Sequence, residues 1–136
     1  MPNENCDPTK LTILVVDDDL INRKLALKLL EKYKGRNPTI FQAKDGKEAL
    51  EVLNNEKEIN LILLDLQMPI MTGMEFLQER ANDEKLSEIP VIVLTTDETR
   101  KQEALELGAT DFLTKPVKEA ILFDTLDLLK VLFEDD

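Results

Sequence analysis

Five short apolar runs divide the chain, and each has the length of a β-strand. They lie at residues 11–16, 39–43, 59–64, 90–94 and 110–113. The first, third and fourth runs are nearly continuous hydrophobic stretches, which is typical of strands that are covered on both faces of a parallel sheet. The pattern therefore predicts five strands of a largely buried sheet.

The segments between and after these runs have apolar residues at helical spacing, as at Ile21, Leu25 and Leu29 in the first of them. They predict five helices, over residues 20–33, 47–54, 74–82, 97–107 and 118–133. We expect Asp97 to cap the N-terminus of the fourth helix and Gly108 to end it, because these residue types favour those positions.

Strands and helices that alternate in this way predict an α/β domain with a doubly wound, five-stranded parallel sheet, because parallel neighbours need helical crossovers. We expect the strand order 2-1-3-4-5. The domain is expected over residues 11–133, between an N-terminal extension at 1–10 and a C-terminal tail at 134–136. Ligands of such sheets bind outside the carboxyl ends of the strands. The residues there are the candidates for function.

Composition excludes several classes of protein. The chain has 136 residues, of which 43% are hydrophobic, which is enough for one domain with a real core. It has no histidine and one cysteine, so disulfide frameworks, histidine- or cysteine-rich zinc sites and histidine-dependent catalytic triads are excluded. No apolar run approaches the roughly 18 residues of a membrane span, and the polar N-terminus is unlike a secretory signal. We therefore expect a cytoplasmic protein without membrane insertion.

The charge balance is strongly acidic. Seventeen lysines and arginines stand against 28 aspartates and glutamates, which gives a formal net charge of −11. Nucleic acids attract clustered cations, so direct nucleic-acid binding is not expected. The chemistry that remains is that of carboxylates, hydroxyls, lysine and hard metal ions.

Polar residues follow four of the predicted strands. They are Asp17, Asp18 and Asp19 after the first strand, Asp65 after the third, Thr95 and Thr96 after the fourth, and Lys115 and Pro116 after the fifth. Taken singly, each has an ordinary structural explanation, as a helix cap, a turn residue, a strand residue or a solvated surface cation. Together they place carboxylates, a hydroxyl and an amine at one edge of the sheet.

Carboxylates from two strand ends repel one another unless a cation lies between them. Magnesium prefers oxygen ligands and fills its remaining positions with water or phosphate oxygens. A carboxylate beside such an ion can attack a phosphoryl group, while an ammonium group and a hydroxyl hold the phosphoryl oxygens. The sequence therefore predicts Asp17 and Asp18 as Mg²⁺ ligands, Asp65 as the nucleophile, and Thr95 and Lys115 as phosphoryl-contacting groups.

Four stretches resemble the response-regulator receiver domains of two-component phosphorelays. They are ILVVDDD at 13–19, LILLDLQMPIMTG at 61–73, IPVIVLTT at 89–96 and GATDFLTKP at 108–116. The resemblance spans about residues 11–133 and implies a flavodoxin-like fold. It also implies that a histidine kinase or a histidine phosphotransfer protein donates a phosphoryl group in a Mg²⁺-dependent reaction, and that the domain then signals through a conformational switch.

The resemblance implies a role for each residue of the reactive site. Asp65 would be the phosphoacceptor and would share the magnesium ion with Asp17 and Asp18. The backbone carbonyl of Gln67 would be a further ligand, and Lys115 would contact the phosphate. The protein would then catalyse its own phosphotransfer and slow dephosphorylation, rather than act as a metabolic enzyme.

The resemblance also implies a switch. Thr95 would be the switch hydroxyl, Phe112 the aromatic residue that changes rotamer, and Pro116 would follow a cis peptide bond. Thr96 stands where the family commonly has a small residue, so its extra bulk would narrow access to the phosphoryl group. Phosphorylation would shift the fourth helix and the face that it shares with strand 5 and helix 5.

Other interpretations compete with a receiver domain. A haloacid-dehalogenase-like phosphatase would use Asp17 as its nucleophile, with Asp19 completing a D-x-D pattern, but it leaves Asp65 without a role. A flavodoxin-type binding module needs a glycine-rich loop where three aspartates stand. A receiver-like scaffold that no longer takes phosphate is disfavoured by the complete set of acids, hydroxyl and lysine. The chain is either a natural single-domain regulator or part of a longer protein.

The last predicted helix has more apolar residues than one buried stripe requires. They are Ile121, Leu122, Phe123, Leu126, Leu128, Leu129, Val131, Leu132 and Phe133. The surplus predicts a surface for a homodimer or an effector through helix 4, strand 5 and helix 5, with Phe123 or Leu128 contributing. A crowded contact with the core is the alternative.

Overall fold

The computed structural model describes residues 11–33, 38–66 and 71–134, with side chains as far as Leu129. Its centre is a parallel sheet with the strand order β2-β1-β3-β4-β5. The strands are β1 (Thr12–Val16), β2 (Thr39–Ala43), β3 (Leu61–Asp65), β4 (Val91–Thr95) and β5 (Asp111–Thr114). The predicted fold class and strand order are confirmed, and each predicted strand end lies within two residues of the observed one.

The three strands with continuous apolar runs are the buried ones. Every residue of β1, β3 and β4 is buried, as expected for strands with helices on both faces of the sheet. The edge strand β2 is more exposed and buries Ala43 at its end. The carboxyl ends of β1, β3 and β4 therefore emerge from a rigid core, which fixes the residues that follow them.

Five helices cover the two faces of the sheet. They are α1 (Leu20–Glu31), α2 (Gly46–Asn55), α3 (Gly73–Ala81), α4 (Lys101–Glu106) and α5 (Glu119–Glu134). Phe76 of α3 and Ala104 of α4 belong to the core on one face. Leu30 of α1 and Leu122 of α5 belong to the core on the other. None of the helices within the described residues is long and apolar enough to cross a membrane.

The fourth helix is shorter than the sequence predicted. A 3₁₀ turn at Glu98–Arg100 precedes α4, so the regular helix begins only at Lys101. Asp97 caps this turn by accepting a hydrogen bond from the Thr99 amide, and hydrogen bonds from the Thr99 side chain and backbone lower the pKa of Asp97. Gly108, with φ of 105°, follows the helix as predicted. Ala104 is the residue of α4 that the core buries, so little apolar packing favours a longer helix.

Arg80 of α3 is a buried cation that connects α3 by hydrogen bonds to the segment before β4. Its side chain donates hydrogen bonds to the carbonyl oxygens of Ile89, at 2.6 Å from Nη2, and Ser87, at 3.0 Å. Burial lowers the pKa of Arg80. These bonds satisfy carbonyl groups that precede a central strand, so Arg80 helps to set where β4 begins.

Candidate functional site

Three carboxylates meet at the carboxyl edge of the sheet. One oxygen from each of Asp17, Asp18 and Asp65 lies within 4.8 Å of the other two. The register explains the meeting, because Val16 of β1 pairs with Leu64 of β3 and the residue that follows each of them along the chain is one of these acids. Asp17 and Asp65 are buried, whereas Asp18 is exposed. Two carboxylates of the cluster are therefore held in the buried core, and the third is open to solvent.

Lys115 inserts its ammonium group between two of these acids. Its Nζ donates to Asp17 Oδ2 at 2.9 Å and to Asp65 Oδ1 at 3.4 Å. Burial by itself lowers the pKa of Lys115, but the hydrogen bond from Lys115 to Asp17 and the charges of Asp65 and Asp17 outweigh it and raise the pKa overall. Lys115 therefore stays charged at neutral pH. The Lys115–Pro116 peptide bond is cis, as the resemblance implied.

The run of three aspartates divides into two structural roles. Asp19 caps α1, since its side chain accepts hydrogen bonds from the amides of Ile21, at 2.8 Å, and Asn22. Asp17 Oδ1 accepts a hydrogen bond from the Asp19 amide at 2.9 Å, which orients the carboxylate towards the cluster. The ordinary explanation, a helix cap, is thus correct for Asp19. Asp17 and Asp18 are the two of the three that join Asp65.

The residues after β4 lie beside this cluster. Thr95, the last residue of β4, is 1% exposed, and its hydroxyl accepts a hydrogen bond from the Asp97 amide at 3.2 Å. Asp65 pairs with Leu94 across the sheet, which brings the hydroxyl of the next residue to the same edge. Thr96 is exposed, and Phe112 of β5 is buried in the core. Gln67 lies outside the described residues, so its predicted contact stays a prediction.

The chemistry of the cluster suits a hard divalent cation. Three carboxylate oxygens are the donors that Mg²⁺ prefers, and one of the three acids is exposed enough for water to complete the coordination. Lys115 provides only one positive charge against three acids, so the edge of the sheet retains negative charge. The residues present therefore fit a magnesium ion.

Sequence reasoning missed a contribution from Arg23. The Nη1 group of Arg23 donates to the carbonyl oxygen of Asp17 at 2.5 Å, and Nε donates to Gln42 Oε1 at 3.2 Å. Arg23 thus links the β1–α1 turn at Asp17 to the edge strand β2 at Gln42 by hydrogen bonds. No pattern in the sequence marks this role, because an arginine in the second turn of a helix is ordinarily a solvated cation.

Comparison with known proteins identifies the family. The model of the response regulator receiver domain family matches residues 13–127. The chain belongs to this family. The two-component response regulator ORR3 of Oryza sativa subsp. indica is 39% identical to this receiver domain over 108 residues, which cover 78% of this chain and 80% of that protein.

Solved structures share the fold. The phosphorylated cyanobacterial phytochrome response regulator RcpA superposes with a TM-score of 0.74 at 28% identity, over 93% of this chain and 95% of that one. The receiver domain of the sensor histidine kinase PA1611 from Pseudomonas aeruginosa PAO1 superposes with a TM-score of 0.79 at 24% identity, over 89% and 98% of the chains. The latter structure holds a magnesium ion in its active-site cleft.

These findings decide between the two main interpretations of the sequence. The prediction of a two-component receiver domain is confirmed. The comparisons give no support to the haloacid-dehalogenase-like phosphatase with Asp17 as its nucleophile.

Proposed function

We propose that this receiver domain accepts a phosphoryl group on Asp65 from a histidine kinase or a histidine phosphotransfer protein, in a Mg²⁺-dependent reaction. The observation that carries the proposal is the position of Asp65, within 4.8 Å of Asp17 and Asp18 and 3.4 Å from the Lys115 ammonium group. The charged lysine and the two further acids are the groups that a phosphoryl transfer to a carboxylate needs around it.

Each residue then has a defined task. An oxygen of Asp65 would form a bond to phosphorus while the bond from phosphorus to the donor's histidine nitrogen breaks. Lys115 would contact a phosphoryl oxygen and stabilise the negative charge that develops there. Asp17 and Asp18, with Asp65, would hold the magnesium ion, which when bound neutralises charge on the phosphoryl oxygens. We also place the reaction in the cytoplasm, where the composition predicts the protein to reside.

The experiment that tests this function is incubation with acetyl phosphate, followed by intact-mass spectrometry. With Mg²⁺ present, we expect the protein to gain the mass of one phosphoryl group. With a chelator in place of Mg²⁺, we expect no gain, because three acids without the metal repel an anionic donor. Equal phosphorylation in both conditions would contradict the proposed role of the metal.

The phosphoryl group would act on the rest of the domain through Thr95. It adds negative charge and strong acceptor oxygens beside the Thr95 hydroxyl. If this hydroxyl turns towards the phosphoryl group, its hydrogen bond from the Asp97 amide breaks and space opens that Phe112 can fill. The turn at Glu98–Arg100 and the short helix α4 come next along the chain after Asp97. Because few of their residues are buried, we expect the phosphoryl group to change the conformation of this segment first.

Replacing Thr95 should separate phosphorylation from this response. We expect Thr95→Ala to accept phosphate on Asp65 but to show no change in amide exchange across residues 96–113. The hydroxyl that links the phosphoryl group to this segment is missing in the variant. Hydrogen–deuterium exchange before and after phosphorylation measures the effect. Thr96→Ala is the matched control. We expect it to widen access to the phosphoryl group but, once it is phosphorylated, to show the same change in amide exchange as the wild type. A normal response in Thr95→Ala would contradict the proposed switch.

The predicted surface for a homodimer or an effector through α4, β5 and α5 stays a prediction. Phe123 contributes less to it than the sequence suggested, since its ring packs against Tyr33 with 5.3 Å between the ring centres. Among the side chains of α5 that the structure describes, Leu128, at 72% exposed, and Ile121, at 49% exposed, fit such a surface. Val131, Leu132 and Phe133 lie beyond the described side chains. The hydroxyl of Tyr33 donates to Asp127 at 2.6 Å, so this side of α5 is instead fixed to the domain.

A further inference from the structure

Gly73, the first residue of α3, lies against the backbone of the proposed phosphoacceptor. A β-carbon built on Gly73 would come within 2.5 Å of the Asp65 carbonyl oxygen and 2.6 Å of the Leu66 α-carbon. The Gly73 amide also donates to the Leu66 carbonyl oxygen at 3.0 Å. The φ angle of Gly73 lies outside the left-handed region, so space rather than backbone conformation requires glycine. Any larger residue would force the backbone to move.

The two elements that meet at Gly73 are both firmly held. Asp65 ends the central strand β3, which pairs with β1 on one side and with β4 on the other. On α3, Phe76 and Leu77 are completely buried, and Thr72 and Glu75 form a capping box at the start of the helix. Packed interiors transmit such strain instead of absorbing it. An added methyl group would therefore displace the backbone at their junction, which carries Asp65.

We propose that Gly73 is a positioning residue for the Asp65 carboxylate. Its missing side chain lets the N-terminus of α3 close against the end of β3, and this contact sets the distance from Asp65 to Asp17 and to Lys115. The inference rests on the proposed function of Asp65. Magnesium demands near-ideal octahedral geometry, and misplacing a reacting group by about 1 Å can slow a reaction about 100-fold. The site therefore has little tolerance for a shift at this junction.

Gly46 provides a matched control. It too is the first residue of a helix that begins with a side-chain cap, in this case Asp45. A β-carbon on Gly46 would meet Cγ, Sδ and Cβ of Met71, at 2.7, 2.8 and 3.0 Å, and the Gly46 amide donates to the Met71 carbonyl oxygen at 3.3 Å. All three contacts are side-chain atoms of Met71, whereas two of the three contacts at Gly73 are backbone atoms of Asp65 and Leu66. Cγ and Sδ of Met71 can move away by rotation of its flexible side chain. Alanine at this position should therefore be accommodated without moving the backbone of Asp65.

The test compares Mg²⁺ binding by Gly73→Ala and Gly46→Ala, measured by isothermal titration calorimetry without a phosphodonor. Circular dichroism first establishes a temperature at which both variants are folded. We expect the dissociation constant for Mg²⁺ to rise about tenfold or more in Gly73→Ala and to stay within about twofold of the wild type in Gly46→Ala. With Mg²⁺ and acetyl phosphate both saturating, phosphorylation of Gly73→Ala should be about 10- to 100-fold slower.

Three results would overturn the inference. The first is a folded Gly73→Ala with wild-type Mg²⁺ affinity, and the second is an equal loss of affinity in the two variants. If Gly73→Ala is unfolded, the titration is repeated in trimethylamine N-oxide, which favours the compact state. A variant that stays unfolded there gives the third result, since glycine would then serve the fold and not the site. A wild-type protein that takes no phosphate would instead overturn the proposed function itself.

Discussion

Asp65→Asn should abolish phosphorylation of the receiver domain by acetyl phosphate, while the wild-type protein gains one phosphoryl group. An amide of the same size fits the same buried position and can still accept a hydrogen bond from Lys115, so the fold should persist. It cannot attack phosphorus as a carboxylate does. Intact-mass spectrometry after incubation with acetyl phosphate and Mg²⁺ gives the result directly.

Asp19→Asn is the matched control for this substitution. Asp19 lies two residues from Asp17, but its side chain caps α1, and asparagine caps helices about as well as aspartate. We therefore expect this variant to be phosphorylated at the wild-type rate. A phosphoryl mass gain that survives in Asp65→Asn would place the acceptor on another residue and contradict the proposed function.

Lys115→Met should slow phosphorylation on the order of 100- to 1000-fold while tightening Mg²⁺ binding. The ammonium group is the side-chain cation that the structure places beside Asp65, and removing one such charge-stabilising group costs about this much in rate. The same removal leaves Asp17 and Asp65 without their cation, so the negative potential at the metal ligands increases. Phosphorylation kinetics and calorimetric Mg²⁺ titration measure the two effects separately.

The opposite signs of these two effects make the prediction specific. Lys118→Met removes an exposed lysine from the same segment and should change neither quantity. Weaker Mg²⁺ binding in Lys115→Met would show that the lysine supports the metal site instead of competing with it.

Because the pKa of Lys115 is raised, the stability that its ion pairs provide is fully present below the ordinary lysine value of 10.5 and is lost only as the pH rises through the higher folded value.

The sheet and the proximity of Asp17, Asp65 and Lys115 were predictable because both follow from short stretches of sequence. Continuous apolar runs mark β1, β3 and β4 as buried strands, and polar residues directly after them must share one edge of a parallel sheet. Asp17, Asp65 and Lys115 come together for this reason. Predicting that they lie close together needed no knowledge of side-chain rotamers, only the positions at which the strands end.

The remaining features depend on three-dimensional contacts that local sequence does not encode. The sequence assigned Asp17 and Asp18 to the cluster, but it did not show that Asp19 caps α1, because an aspartate at any of the three positions suits a helix N-terminus. The apolar surplus of α5 did not reveal that Phe123 packs on Tyr33, since these residues are far apart along the chain. No pattern in the sequence assigned a role to Gly73, and only its approach to the Asp65 carbonyl oxygen shows why a side chain is excluded.

A crystal structure of the protein with beryllofluoride and magnesium would test the proposed chemistry most directly. Beryllofluoride mimics a phosphoryl group on a carboxylate, and the metal would be visible beside it. We expect the adduct on Asp65, with the ion bound by Asp17, Asp18 and Asp65 and with Lys115 against a fluorine atom. An adduct on a different residue, or a metal ion that these three carboxylates do not share, would contradict the assignment of the site.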